Sequence, residues 1–442
     1  MRFIICGDAL FSSRNLCNRL DPRLVQLLAD ADAVFANAEF CTPRYATPPA
    51  AGRGYMTSVR PDTLDEFNDL NIRLLSFANN HTGDYGWQGI VDTLEETERR
   101  GLIHCGIGRD LSDARKARFF DTPIARIGIV STASTRSEAF AASNAQNGIP
   151  ARPGLNPLRW SISYMLENEQ FEALKRIDEL LGTRASAAES TRVETWKDLG
   201  PNEFKFGSMF EGNLHIIRSD RNQVVTAANP QDEAEILKDV RDARRRSDIP
   251  MVTIHTHEGI DNNWYSPQPA EFIREFAHES IDAGAELFVG HGAHFMRGIE
   301  VYKGHPIFYN LGSILMEFEA GESLIAPEMY EFYGYDNTAR PSDLHSNHAK
   351  DKDGNFIGFN AERRFSKNIA VILDYEQGQI RYRLLPLDLH LNDDKPLHRG
   401  LPTIATPNVG REIADDLCRI SNNLVAFEYD KSSGLISFRV KH

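Results

Sequence analysis

The stretch Gly290–Tyr302, GHGAHFMRGIEVY, places His291 and His294 three residues apart, between an apolar run and a β-like run. A second pair, His255 and His257, follows the apolar run Pro250–Ile254, and Asn80 stands beside His81 in FANNHTGDY. Two further carboxylates, Asp8 and Glu39, also end short apolar runs. Neutral imidazoles, carboxylates and an amide oxygen form a donor set suited to a divalent ion such as manganese, zinc or iron. Two such ions close together can clamp a phosphoryl or carbonyl oxygen and generate a hydroxide near neutral pH. A histidine not bound to an ion can protonate a leaving group. Taken singly, each residue also has a structural explanation: a turn for Asp8 or Asn80, a local ion pair for Glu39, a core imidazole for the histidines. Their repeated placement at strand ends is what points to one site.

The elements that would carry them alternate. Arg2–Cys6, Ala33–Ala36, Arg73–Phe77, Leu102–Cys105 and Ala125–Ser131 read as strands, with a helix over Pro61–Leu70. A second helix follows Asp84, with Trp87, Ile90, Val91 and Leu94 on one stripe. After a break the rhythm resumes: helix Glu233–Arg246, strand Pro250–His255, helix Ala270–Ala283, strand Leu287–Gly290. This pattern predicts a layered α/β sheet, in which ligands gather outside the carboxyl ends of the strands. Residues 136–230, rich in Ala, Ser, Asn and Arg, are expected to be an insertion forming a cap or lid over the site. Arg152, Trp160, Tyr164 and Trp196 within it are candidates to touch substrate. Two strands (Asn368–Tyr375 and Gln379–Leu385), a helix (Val409–Leu424) and a hairpin (Val425–Val440) close the chain.

The 442 residues leave room for more than one domain, and 41% hydrophobic with 25% charged residues is ordinary for a globular protein. A formal net charge of -14 argues against nucleic acid or an anionic membrane surface as partner. No apolar run approaches the length of a membrane helix, and the opening MRFIICGD is too short for a signal sequence. Five scattered cysteines without a Cys-x-x-Cys pair fit a reduced, cytoplasmic setting.

With the opening CGD and the stretches Phe77–Glu95 and Asp282–Ser313 in hand, the chain resembles the CapA family, named for poly-γ-glutamate capsule synthesis. That family is similar in fold to calcineurin-like metallophosphatases. The resemblance implies a layered calcineurin-like sandwich built from residues 1–135 and 231–315, interrupted by the insertion and followed by a C-terminal α+β extension, 316–442. It implies Asp8, Glu39, Asn80, His255, His291 and His294 as metal ligands, with Glu39 bridging, and His81 as the acid near the scissile bond. Asp8 and His294 are also candidate acid–base groups, and His257, Glu258 and Arg297 candidate substrate contacts. The chain departs from the metallophosphatase pattern in having Leu10 where a ligand histidine is usual, Ser313 where an asparagine is common, and the last two histidines one residue further apart. The expected function is therefore metal-dependent hydrolysis of an amide, peptide or phosphoester in a small-molecule or peptide substrate. The alternatives are a cofactor-independent peptide Cα epimerase using Asp and His pairs, which needs no ion, and a non-catalytic peptide- or glycan-binding module.

Overall fold

The computed structural model describes residues 1–51, 55–194, 197–207, 212–317, 319–336 and 338–440. Two sheets stack face to face. In the first, Arg2–Phe11, Ala33–Ala38, Leu74–Ser76 and Ile103–Cys105 lie side by side and parallel. In the second, Arg126–Ala133, Ile249–Thr256 and Leu287–Gly292 do the same. The period of two along each strand assigns its side chains to layers. Phe3, Ile5 and Phe35 meet Ile127, Ile129, Met251 and Val289 between the sheets. Ile4, Val34 and Leu75 turn outward to Leu24 and Leu28 of helix Pro22–Ala29 and to Ile90 and Leu94 of helix Gly86–Arg99. Val130, Val252 and Phe288 turn the other way, to Ile236 and Val240 of helix Pro230–Arg246 and Phe272 and Phe276 of helix Glu271–Asp282. The result is the expected layered sandwich: helices, sheet, sheet, helices.

The C-terminal residues are not an appendage. Lys367–Glu376 pairs antiparallel with the first strand, Arg2 opposite Asp374 and Ile5 opposite Val371, and Gln379–Asp388 pairs with it in turn. The final hairpin, Val425–Asp430 with Leu435–Val440, extends the same ten-stranded sheet. The sequence shows these strands but not their partner, because antiparallel pairing across most of the chain leaves no local signal.

The insertion also differs from expectation. Trp160–Leu166, Glu203–Phe206, Leu214–Arg218 and Gln223–Ala228 form their own four-stranded sheet, with Phe171, Phe204 and Ile216 as its small core. It leans on the outer helix of the second sheet, where Trp160 stacks on Phe272 at 5.1 Å. Tyr164 accepts a hydrogen bond from Asn262, and Arg152 donates to the Ala141 carbonyl. Trp196 lies outside the described residues. No helix among the described residues is long and apolar enough to cross a membrane.

Candidate metal centre

Each sheet delivers half of the site. From the first come Asp8, inside strand Arg2–Phe11 rather than beyond it, Asn37 beside it in register, Glu39 just past Ala33–Ala38, and Asn80 and His81 in the loop after Leu74–Ser76. From the second come His255 and His291, paired in register on neighbouring strands, then His257 and His294 in the loops that follow. The chain must kink to bring them in. Gly7 sits so close to the backbone of Gly312 that a Cβ there would lie 1.9 Å from the carbonyl oxygen, and register slips on both sides of Asp8. Gly292 takes φ 116°, a value that favours glycine, and its N–H donates to Asp8 Oδ2 at 2.8 Å. His294 follows at φ 60°, an uncommon conformation for a residue with a side chain.

The ligating atoms fall into two groups of three. Asp8, His255 and His291 are wholly buried and offer atoms all within 4.8 Å of one another; Glu39, His257 and His294 form a second such group. In the first, Asp8 Oδ1 accepts from Asn37 Nδ2 at 2.8 Å and lies 3.5 Å from His291 Nδ1 and 3.7 Å from His255 Nδ1. The two imidazole Nδ1 atoms are 3.1 Å apart, and His291 Nε2 meets Thr253 Oγ1 at 2.9 Å. In the second, Glu39 lies between the groups, with Oε1 3.7 Å from His255 Nε2 and Oε2 3.7 Å from His294 Nδ1. His294 Nδ1 is itself 3.4 Å from Asp8 Oδ2 and from Ser313 Oγ.

The electrostatics divide the two carboxyls. Burial works to raise Asp8, but hydrogen bonding to His255, His291 and His294 outweighs it and holds the group well below the usual carboxylate range. Burial, reinforced by the charge on Asp8, pushes Glu39 well above its usual range. Burial also lowers His255 to about 4 and His257 well below an ordinary imidazole. His255 and His257 are therefore held as neutral imidazoles, the form that binds a metal.

Those residues fit a cation on one decisive observation. Both oxygens of Glu39, His255 Nε2 and His257 Nε2 are buried without a hydrogen-bond partner. Each such orphan costs about 1–3 kcal/mol, and cations held at the two groups would offset that cost. The donor set suits zinc, manganese or iron.

Beside the second group opens a cavity of about 510 Å3, lined at this end by Leu10, Asn80, His81, His257 and His294. His81 Nδ1 is 2.8 Å from Asp84 Oδ2, and that carboxylate also accepts from the Thr57 N–H at 3.3 Å. Asp84, which the sequence places only ahead of a helix, orients the histidine instead. Its spacing of three from His81 is the signal that could have revealed this.

Several expectations change here. Glu258 accepts hydrogen bonds from Ser134, Thr135 and Thr256 and does not line the cavity. Arg297 is wholly buried, donating to the carbonyls of Glu258, His257 and Trp264, and burial lowers it to about 10. It supports the loop that carries His257 and does not line the cavity. His257 stands with the metal-type groups rather than as a plain substrate contact. Asp8, with both oxygens engaged and no exposure, is not placed to act as an acid or base on one side of a substrate carbon. The cavity's far wall comes from residues 319–360 and 391–399, and no described residue of the insertion lines it. Asn37 and Thr253 are site residues the sequence analysis missed; Asn37 stood in plain view two residues before Glu39.

A family model described as "Bacterial capsule synthesis protein PGA_cap" matches residues 17–317. The chain belongs to the PGA_cap family. A protein of Sinorhizobium fredii, y4sH, is 30% identical over 95% of this chain and 88% of its own length. The PGA biosynthesis protein CapA of Bacillus subtilis is 23% identical over 65% of this chain and 55% of its own length. Among solved structures, a phosphatase of Mycoplasma pneumoniae is 11% identical, covers 88% of this chain and 93% of its own, and has a TM-score of 0.39. The PGA_cap match takes in Glu39, Asn80, His81 and all four site histidines of the second sheet; Asp8 lies ahead of its start.

Proposed function

We propose that this PGA_cap protein is a metal-dependent hydrolase acting on an amide, peptide or phosphoester bond at the mouth of the 510 Å3 cavity. The supporting observation is the pair of three-residue groups, Asp8/His255/His291 and Glu39/His257/His294, with orphaned buried donor atoms between them. A divalent ion held there would supply Lewis acidity and bring water ionisation toward neutral pH. The chain's own residues do the rest. Thr253 Oγ1 orients His291: in the tautomer whose Nε2–H donates to it, Nδ1 would offer its lone pair to the ion in place of its contact with Asp8. Asn37 holds Asp8 and keeps its carboxylate aimed at the imidazoles. Asp84 holds His81 by Nδ1, leaving Nε2 to exchange a proton with the leaving group. Exclusion of water follows from burial: five of the six ligating residues are buried.

Elemental analysis of protein purified without chelator, followed by chelation and add-back, tests this. We expect bound zinc, manganese or iron, and hydrolysis of an amide or phosphoester panel that disappears on chelation and returns with metal. Full turnover by metal-free protein, or failure to bind metal on add-back, would overturn the proposal.

A further inference from the structure

The cavity does not end at the metal-type residues. Phe359 packs edge-on against His294 at 5.7 Å and begins a wall that runs away from them. Beyond it Tyr55 stacks on His348 at 5.1 Å, and Tyr333 meets His348 edge-on at 4.7 Å. Tyr55 Oη is 2.5 Å from His345 Nδ1, which fixes both rings. Leu10, Met316, Ile357 and Leu391 complete an apolar lining. These are rings with faces and edges at hand for a flat group, since aromatic pairs favour offset and edge-on contact.

Its charges are spent. Arg399 is the one arginine or lysine among the described lining residues, and its Nη1 donates to both oxygens of Glu319 at 2.8 and 3.0 Å. Its Nε and Nη2 go to the carbonyls of Asp393 and Asp394. Burial lowers His345 to about 3 and lowers His348 as well, so neither adds a cation at neutral pH. Away from the metal-type residues, a chain of carboxylates running along this wall would lose its hydration and meet no free lysine or arginine among the described lining residues, a costly exchange. The protein's overall charge of -14 opposes it further.

We propose that the cavity selects a substrate carrying a neutral aromatic group next to the bond that is cut, seated between Phe359 and the Tyr333–His348 pair, and that it rejects polyanionic chains. This inference rests on the hydrolase reading for the word substrate, but its test does not. Binding to the full-length protein, with and without metal, is measured by calorimetry for two probes: N-acetylphenylalanine amide and a γ-linked glutamate tetramer. We expect the aromatic amide to bind at least about tenfold more tightly than the tetramer, and Tyr333→Ala to weaken that binding about tenfold while leaving metal content unchanged; a buried aromatic contact carries about this much. Glu319→Gln releases Arg399 from its ion pair, so the tetramer should gain affinity in that variant and the aromatic amide should not. Tetramer binding equal to or tighter than that of the amide, no measurable binding of the amide, or an unchanged tetramer affinity in Glu319→Gln would overturn it. Because no turnover is read, a protein that binds the amide but hydrolyses nothing would sink the hydrolase reading and leave the preference for a neutral aromatic group over a polyanion standing.

Discussion

The two ligand groups contain similar chemistry and live in different surroundings. Asp8, His255 and His291 are closed in: the carboxylate is charged, hydrogen-bonded to Asn37 and Gly292, and held by the imidazoles around it. Glu39, His257 and His294 are not: the Glu39 oxygens are orphaned, its carboxyl is pushed toward the protonated form, and two of the three residues line the cavity. The first group is the more closed of the two, although His255 Nε2 is orphaned there as well. Under the proposed function the first group would be the tight site and the second an exchangeable one beside the cavity.

The largest test of that contrast is Asp8→Ala. Asp8 touches histidines of both groups, so we expect loss of all bound metal and a fall in kcat/KM of about a thousandfold or more, the several kcal/mol a metal supplies. Retention of one ion per chain, read by elemental analysis, would break the contrast. His81→Ala comes next: kcat should fall at least about a hundredfold with metal content intact, because the residue acts on the leaving group and not on the ion. Thr253→Val sharpens the picture of the closed group. It removes the oxygen that orients His291 and should weaken the tighter binding step about 10–100-fold, with little change in the weaker one.

The smallest effect distinguishes the groups by protons. The Glu39 carboxyl sits well above its usual range, so an ion binding at the second group must displace its proton. Affinity there should climb as pH rises toward the raised value, with about one proton released per ion. The closed group should show no such carboxyl dependence, since Asp8 is already charged and His255 stays neutral above about 4. Calorimetry in buffers of different ionisation enthalpy reads both steps. Glu39→Met should abolish only the proton-coupled step. In metal-free protein it should also raise stability by about 1–3 kcal/mol, because the buried orphan is gone.

Much of the metal centre was visible in the sequence because its donors interrupt apolar runs. Asp8, Glu39, His255, His291 and His294 stand out as polar residues that interrupt or follow apolar runs, and the structure brings them together. What stayed hidden was of two kinds. Orienting residues look like ordinary structure: Thr253 is one more β-branched residue in a strand, and Asp84 reads as a helix start. Distant walls carry no period at all. The segment from 319 to 360, with short helices such as Pro327–Phe332 and Pro341–Ala349, shows no stripe that ties it to the centre, yet it forms the far side of the cavity. Arg297 and Glu258 misled for the opposite reason: a charged residue beside a ligand suggests contact, but both are used up holding the loop and strand ends around His257.

The first strand, Arg2–Phe11, has as one neighbour Lys367–Glu376, joined by the Arg2–Asp374 ion pair at 2.8 Å. During synthesis the Arg2–Ile5 half of this strand therefore keeps one flank open until Lys367–Glu376 has left the ribosome, while Asp8 itself finds Ser313 on that side earlier. An unmatched edge of that kind invites wrong partners. Nascent chains of this protein should lean on chaperones in that interval, and a truncation at 316 should aggregate even though every metal-type residue is present in it.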